Sequence, residues 1–587
     1  MPPFLRPWPA LLLLFALPAG AAPAPSPLDV VSYALDLEVL VAEQSIAGEI
    51  EIRFTTQAEP LSEVELDAPG LTVASVRSGD RALEFRSEGD HLRVPLEPPL
   101  RSGEERTLRI AYSGRPEKGM RFAPDQVFTA FATRHWMPCH DEPGDKATLE
   151  LRLVLPAGLE VAASGRPVRR ETLPDGRLRH VWREERPVSP FLYGFAAARF
   201  REASLQEGPV ELRLLAPGFT SEELRTIFAR TGEMLRFLER RAGVPFNGTR
   251  YTQVLLPGAP AQEMNVLTLM GEDDGRAVLD DPREDYLVTH ELAHQWWANQ
   301  VTCRTWSDFW LHEGMVSFLV AAYKEFHWGR EDSDRERILA RLRYEKVHAA
   351  GKRRSLATEA WERAEDMSGP ITYSKGALVL HLLRHEIGDA AFWAGLRTFT
   401  RAAVAAGGLA ESRDLQKAME QESGQPLGWF FDQWVYGLEP DLVARHREEP
   451  GAVVVEIEQR GSQPWRIGLD IAVETDTERV LRRVVLTQAR ESLRLPVTGR
   501  LLSVRLDDGG WLPRSVQHER SWEMLVWQAL HEPDAAGRSD ALLALADLCK
   551  TPEAPSPCAG LPALLHQRAE DDPARVVRQI AERAVGE

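Results

Sequence analysis

The segment His290-Glu291-Leu292-Ala293-His294, followed nineteen residues after His294 by Glu313 within Trp310-Leu311-His312-Glu313-Gly314, constrains this chain more than any other stretch. Residues i and i+4 of an α-helix share one face, so a helix here lets both imidazoles reach one ion. Glu313 joins them if a second helix packs beside the first. Two His and one Glu are a ligand set of catalytic zinc, which keeps a fourth position open for water. Glu291 stands beside the ligands without being one of them, placed to act as a general base and then as an acid. The expectation is one Zn2+ per chain held by His290, His294 and Glu313, with Glu291 catalytic.

At 587 residues, 43% hydrophobic and 27% charged, the chain reads as several ordinary globular domains. A formal net charge of -18, from 70 Lys+Arg against 88 Asp+Glu, argues against nucleic-acid or anionic-membrane partners. A basic start through Arg6, an apolar run from Ala10 to Leu17 and the small residues Ala19-Gly20-Ala21-Ala22 read as a secretory signal peptide over residues 1–21. The run is too short to span a bilayer, and none that follows reaches the ~20 residues required, so an exported protein, periplasmic or secreted, without stable membrane insertion is expected. Of the four cysteines, Cys549 and Cys558 are close enough to bridge in an exported protein, with two free thiols the alternative.

Period-two alternation, as in Tyr33, Leu35, Leu37 and Val39 against Asp36 and Glu38, marks residues 28–203 as an N-terminal β-sandwich. Thr220-Ser221-Glu222-Glu223 opens a helix with Leu224, Ile227, Phe228, Leu235 and Leu238 on one face, closing near Gly243, inside a mainly helical catalytic domain over 204–440. Tyr251 to Leu256 and Glu263 to Leu269 look like strands of a small sheet beside the zinc helix. Alternation returns in Val453, Val455 and Ile457 and again from Ile467 to Val473, giving a second small β-sandwich over 450–515. A short helical segment over 516–587 completes a multidomain α+β chain.

His290-Glu291-Leu292-Ala293-His294-Gln295-Trp296-Trp297, the eighteen-residue gap and Glu313 together resemble the aminopeptidase N family of gluzincin metallopeptidases. Arg134 to Pro143, containing Pro138-Cys139-His140-Asp141-Glu142-Pro143, and Pro190 to Phe195 look like segments of that family's N-terminal β domain. The resemblance implies a thermolysin-like catalytic domain, peptide substrates and removal of N-terminal residues. In Ile371-Thr372-Tyr373-Ser374-Lys375-Gly376 it places the tyrosine whose hydroxyl stabilises the oxyanion, Tyr373. A phenol aimed at that oxygen gains strength as charge develops.

Two departures concern recognition of the substrate's amine. Where the family has Gly-Ala-Met-Glu-Asn, this chain has Ala261-Gln262-Glu263-Met264-Asn265, so Met264 replaces the clamp glutamate and Glu263 reaches the amine only through a bulge or register change. Glu263, Met264 and Asn265 are nonetheless the substrate-binding candidates. The family's second amine ligand falls on Thr129. A weakened clamp leaves open endopeptidase or other zinc hydrolysis, and a peptide-binding scaffold is a further alternative opposed by the intact metal and catalytic residues. The terminal segment is shorter than the cap of many relatives, which implies a more open cleft. Trp296, Trp297, Trp306 and Trp310 are expected to pack the ligand helices, and Asp308 or His312 either to orient a ligand imidazole or to be a satisfied surface group. Nothing in the sequence fixes the oligomeric state.

Overall fold

The structure, a computed structural model, describes residues 27–56, 60–358, 367–550 and 556–586. The expected leader, residues 1–21, lies outside the described residues. The multidomain α+β architecture expected from the sequence is the one observed: β-rich, helical, β-rich again and a helical end.

In the N-terminal domain, Leu28–Leu40 is flanked by Ser45–Thr56 antiparallel and by Ala147–Leu155 parallel, at the centre of an eight-stranded sheet. The alternation does its work here: Tyr33, Leu35, Leu37 and Val39 are buried while Asp36 is exposed. A separate four-stranded sheet of Glu160–Ala163, Phe195–Ala198, Gln126–Thr129 and Met120–Ala123 faces the next domain.

The catalytic domain begins with a four-stranded sheet in the order Arg201–Glu207, Val210–Ala216, Arg250–Leu256, Leu267–Gly271. Its strand next to the metal segment starts at Leu267; Glu263 to Val266 is irregular, with Leu267 N–H bonded to the Met264 carbonyl across a tight turn and Val266 at φ 52°. The sequence expectation of a strand from Glu263 is thereby corrected. The helix expected from Ser221 to Gly243 is two helices, α1 (Ser221–Ile227) and α2 (Thr231–Ala242). Thr220 and Glu223 form the capping box of α1, and Gly243 ends α2 at φ 71°. Gly232, the second residue of α2, lies beside the Glu207 carboxylate, which a Cβ there would displace.

Helices α3 (Glu272–Asp280), α4 (Tyr286–Ala293), α5 (Trp310–His327), α6 (Arg330–Ala349) and α7 (Gly376–Ile387) follow, with a π-helical turn at Ile371–Lys375 before α7. The second β-sandwich pairs Asp441–Glu449 with Ala452–Arg460 in one sheet and Ile467–Thr475 with Arg479–Leu486 and Leu501–Leu506 in the other. Its inward residues join the hydrophobic core of the catalytic domain. Four terminal helices, from Trp522–His531 to Arg575–Gly586, pack around Leu542 and Leu545 and against Ile338 of α6. Cys549 and Cys558 are bridged, and Cys139 and Cys303 are free and buried. No helix among the described residues is long and apolar enough to cross a membrane.

Candidate metal centre

Helix α4 buries Val288, Leu292 and Ala293 and turns His290 and His294 to one side. Glu313 comes from the first turn of α5, and its Oε2 lies 3.2 Å from His290 Nε2 and 3.4 Å from His294 Nε2. One ligand atom from each residue falls within 4.8 Å of the others. His294 Nδ1 faces the Trp297 carbonyl at 3.1 Å, a contact that fixes the ring with Nε2 aimed at Glu313.

Asp308 and His312 do not orient the imidazoles as the sequence suggested. Asp308 accepts hydrogen bonds from the Ser412 backbone and hydroxyl. His312 Nε2 accepts from Cys303 N–H at 2.7 Å, and burial together with nearby His294 pushes its pKa down to about 3, so it is neutral. Trp296, Trp297 and Trp310 are fully buried, with the indole N–H of Trp296 on the Val244 carbonyl and that of Trp310 on Ser412, as packing residues.

Tyr373 is carried by the π-turn. Gly314 of α5 and Gly376 of α7 meet so closely that a Cβ on Gly314 would lie 2.8 Å from the Gly376 Cα, and this approach sets the π-turn beside Glu313. The Tyr373 ring lies parallel to that of His290, 6.0 Å between centroids and 6° between planes. Burial, then the charges of Glu313 and Glu263, hold its pKa well above the ordinary phenol value, so the hydroxyl keeps its proton.

The turn at Met264 aims Glu263 into the centre, where it forms a second cluster with Glu291 and His294 within 4.8 Å. Met264 and Asn265, expected beside it in the substrate pocket, are engaged elsewhere. Met264 is buried among Phe128, Leu256 and Leu269 between the domains, where a Cβ on Gly194 would strike its sulfur. Asn265 donates to the Glu184 carboxylate of the N-terminal domain at 2.6 Å. Thr129 receives Phe195 N–H at 2.9 Å, which engages its hydroxyl in the N-terminal sheet.

Two residues missed by the sequence reading hold the Glu263 loop. Gln295 donates to the Met264 carbonyl at 3.1 Å and accepts Val266 N–H at 2.9 Å, while Asn299 donates to the Gln295 side-chain oxygen at 3.1 Å. Their signal was position, immediately after His294, yet side-chain amides near a ligand have many uses. On the other side of Tyr373 lies a cavity of about 250 Å³ lined in part by Tyr286, Ser317, Arg343 and Leu378.

Glu263, Glu291 and Glu313 are thus buried around two imidazoles. Burial and the charges of Glu263 and Glu313 raise the Glu291 pKa well above the carboxylate range, against the pull of His294. Burial opposes charge on His294, but Glu313, Glu263 and Glu291 outweigh it and push its pKa up to about 10. Buried charge of this kind is balanced by a partner or a metal ion. A divalent cation held by His290, His294 and Glu313 would supply that balance, so the donor set fits zinc.

The fold and the triad define the architecture of a two-helix metallohydrolase in which a helical His-Glu-x-x-His is completed by a glutamate of the next helix. The Peptidase M1 N-terminal domain matches residues 30–192 and the Peptidase family M1 domain matches residues 227–434, and the chain belongs to this family, whose peptidases are zinc metalloenzymes. Probable aminopeptidase 1 of Saccharolobus solfataricus is 27% identical over 416 residues, 66% of this chain and 51% of that protein. Aminopeptidase N of Rattus norvegicus is 28% identical over 291 residues, 45% of this chain and 30% of that protein. The chain covers about half the length, or less, of such relatives. In fold it is similar to Legionella pneumophila aminopeptidase A, solved in complex with aspartic acid, with a TM-score of 0.77 and 15% identity over 94% of this chain and 68% of that one.

Proposed function

We propose that the protein is an exported zinc aminopeptidase, periplasmic or secreted, that removes N-terminal residues from peptides and binds one zinc ion per chain through His290, His294 and Glu313. The observation that carries this reading is the convergence of Glu263, Glu291 and Tyr373 on one buried triad. Zinc supplies a Lewis acid for the scissile carbonyl and lowers the pKa of water towards ~7. Glu291, outside the triad, takes the proton of the attacking water and delivers it to the leaving amine. The Tyr373 hydroxyl donates to the carbonyl oxygen as that oxygen gains charge. Glu263 accepts the substrate's ammonium, and the cavity beyond Tyr373 takes the residues on the leaving side of the bond.

One observation favours a second reading. With Thr129 hydrogen-bonded in its own sheet and Met264 in the interdomain core, amine recognition falls on Glu263, and endopeptidase cleavage follows if that carboxylate does not engage the amine. A peptide library, half of it N-acetylated, is to be incubated with zinc-loaded protein and with Glu291→Ala, and the cut positions read by mass spectrometry. Loss of single residues from free N-termini alone is expected. Internal or acetylation-blind cuts, absent with Glu291→Ala, would establish the endopeptidase instead.

A further inference from the structure

We propose that the buried ion pair between Lys375 and Glu439 is the device by which the second β-sandwich holds the Tyr373 hydroxyl in register with the metal triad. The proposal rests on the oxyanion role given to Tyr373 above. Lys375 is the last residue of the π-turn, two positions after Tyr373, and has no solvent exposure. Its Nζ donates to Glu439 Oε2 at 2.7 Å. Glu439 is itself fixed at three points: the other carboxylate oxygen accepts from the Tyr344 hydroxyl of α6, the backbone carbonyl accepts from Arg353 at 2.7 Å, and the chain enters strand Asp441–Glu449 of the sandwich two residues later.

Stability alone does not explain such a pair. Removing two charges from water is costly, and apolar residues of the same volume commonly fill such a site as stably or more so. An ion pair differs from apolar packing in fixing one geometry. Sliding of Lys375 would leave a buried carboxylate without its cation, so the end of the π-turn is pinned to the start of the sandwich. The turn is five residues long and its start is also fastened, because the Thr372 hydroxyl donates to the Met367 carbonyl at 2.5 Å and receives the Arg354 guanidinium at 2.7 Å. Tyr373 lies between these anchors. π-Turns concentrate at functional sites, where they re-aim one side chain of an otherwise regular helix. The triad, Glu263, Glu291 and Tyr373 all precede residue 441, so the sandwich supplies none of these groups, and the pair gives it a part in the chemistry as support for a positioned donor.

Lys375 and Glu439 are positioning residues, and a double-mutant cycle with Tyr373 separates that role from general support of the fold. Lys375→Met and Glu439→Gln are to be made with Tyr373 and with Tyr373→Phe, and kcat, KM and bound zinc measured on a panel of aminoacyl anilides. In the presence of Tyr373, Lys375→Met is expected to lower kcat about tenfold or more with KM within about twofold and zinc retained, a fraction of the ~10²–10³-fold worth of one oxyanion donor. In the Tyr373→Phe background the same change should cost less than about twofold, because the donor it positions is gone. Glu439→Gln keeps an acceptor for Nζ but removes the charge that pins it, and should lower kcat several-fold, less than Lys375→Met and again only in the presence of Tyr373. Equal fold-losses in the two backgrounds, or no loss in either, overturn the proposal. Should Lys375→Met fail to fold, the cycle run with Glu439→Gln decides by the same criterion, a loss confined to the Tyr373 background supporting it. Tyr373→Phe with full kcat would bring down the oxyanion role and this proposal together, whereas an impaired Tyr373→Phe with equal losses overturns the proposal alone.

Discussion

Replacing Glu263 by Gln removes one charge from the metal centre while keeping the side-chain volume, and its consequence can be worked out from the site. Glu263 is buried, and its carboxylate shares a 4.8 Å cluster with Glu291 and His294, next to the triad. The loop that carries it is held through other side chains, Gln262 to Phe131 N–H at 2.7 Å and Gln295 to the Met264 carbonyl at 3.1 Å, so the amide should occupy the same place. What is lost is a charge-assisted hydrogen bond to the substrate's ammonium, about 1.5–3 kcal/mol. At about 1.4 kcal/mol per factor of ten this is a rise in KM of roughly 10- to 150-fold for peptides with a free N-terminus. kcat should change much less, since the bond is made in the ground state as well as the transition state. Steady-state kinetics on one peptide with free and acetylated N-termini provides the assay, and the acetylated form should be as poor a substrate for the variant as for the parent protein. A KM within twofold of the parent value on the free peptide would refute the reasoning and remove Glu263 from amine recognition.

Other expectations follow from the same geometry. Gln295→Ala deletes two hydrogen bonds of the Glu263 loop, one buried and one part-buried, and should cost about 2–4 kcal/mol in urea unfolding, raise KM for free-amine peptides and leave zinc bound; unchanged KM would uncouple the loop from substrate. Zinc at 1,000 times its Kd should stabilise the fold by about 4 kcal/mol, and Glu313→Ala should abolish the zinc-dependent rise in Tm; an equal rise in the variant would exclude Glu313 as a ligand. Burial, against hydrogen bonds from Ser412, pushes the Asp308 carboxyl up to about 6. Its protonated form is favoured by folding, so its stabilising contribution, at most about 3 kcal/mol, is present below pH 4 and lost as pH rises through 6. Asp308→Asn should flatten that part of the stability profile, and identical profiles would remove Asp308 as its source.

The local features of the centre were legible in the sequence and the long-range ones were not. His290 and His294 are related by helix geometry alone, so their convergence follows from spacing, and Thr220 with Glu223 specifies its own helix start. The strand alternation around Leu35 survives because one face of that strand is buried. Glu263 could not be placed, because its direction depends on the turn at Met264 to Leu267, a positive φ at Val266 and anchors at Gln295. Asp308 could not be placed for a related reason: its partner, Ser412, lies 104 residues further along the chain. The interruption between α1 and α2 was hidden by an unbroken apolar face, since Leu224, Ile227, Phe228, Leu235 and Leu238 are buried on both sides of it.

The Glu263 loop is pinned from two sides, by Gln295 and Asn299 just after α4 and by Glu184 and the Phe191 and Leu192 carbonyls of the N-terminal domain, which take Asn265, Gln262 and the Asn265 N–H. His290, His294 and Glu313, by contrast, belong wholly to α4, its C-terminal end and α5. With Glu263 as the proposed amine site, metal binding and end recognition would be separable inheritances of this fold. A catalytic module cut free of its β-rich neighbour would retain the means to bind zinc but lose the ruler that counts one residue from the end of a peptide, so exchanging N-terminal domains between relatives should retune where a chain is cut before it alters whether it is cut.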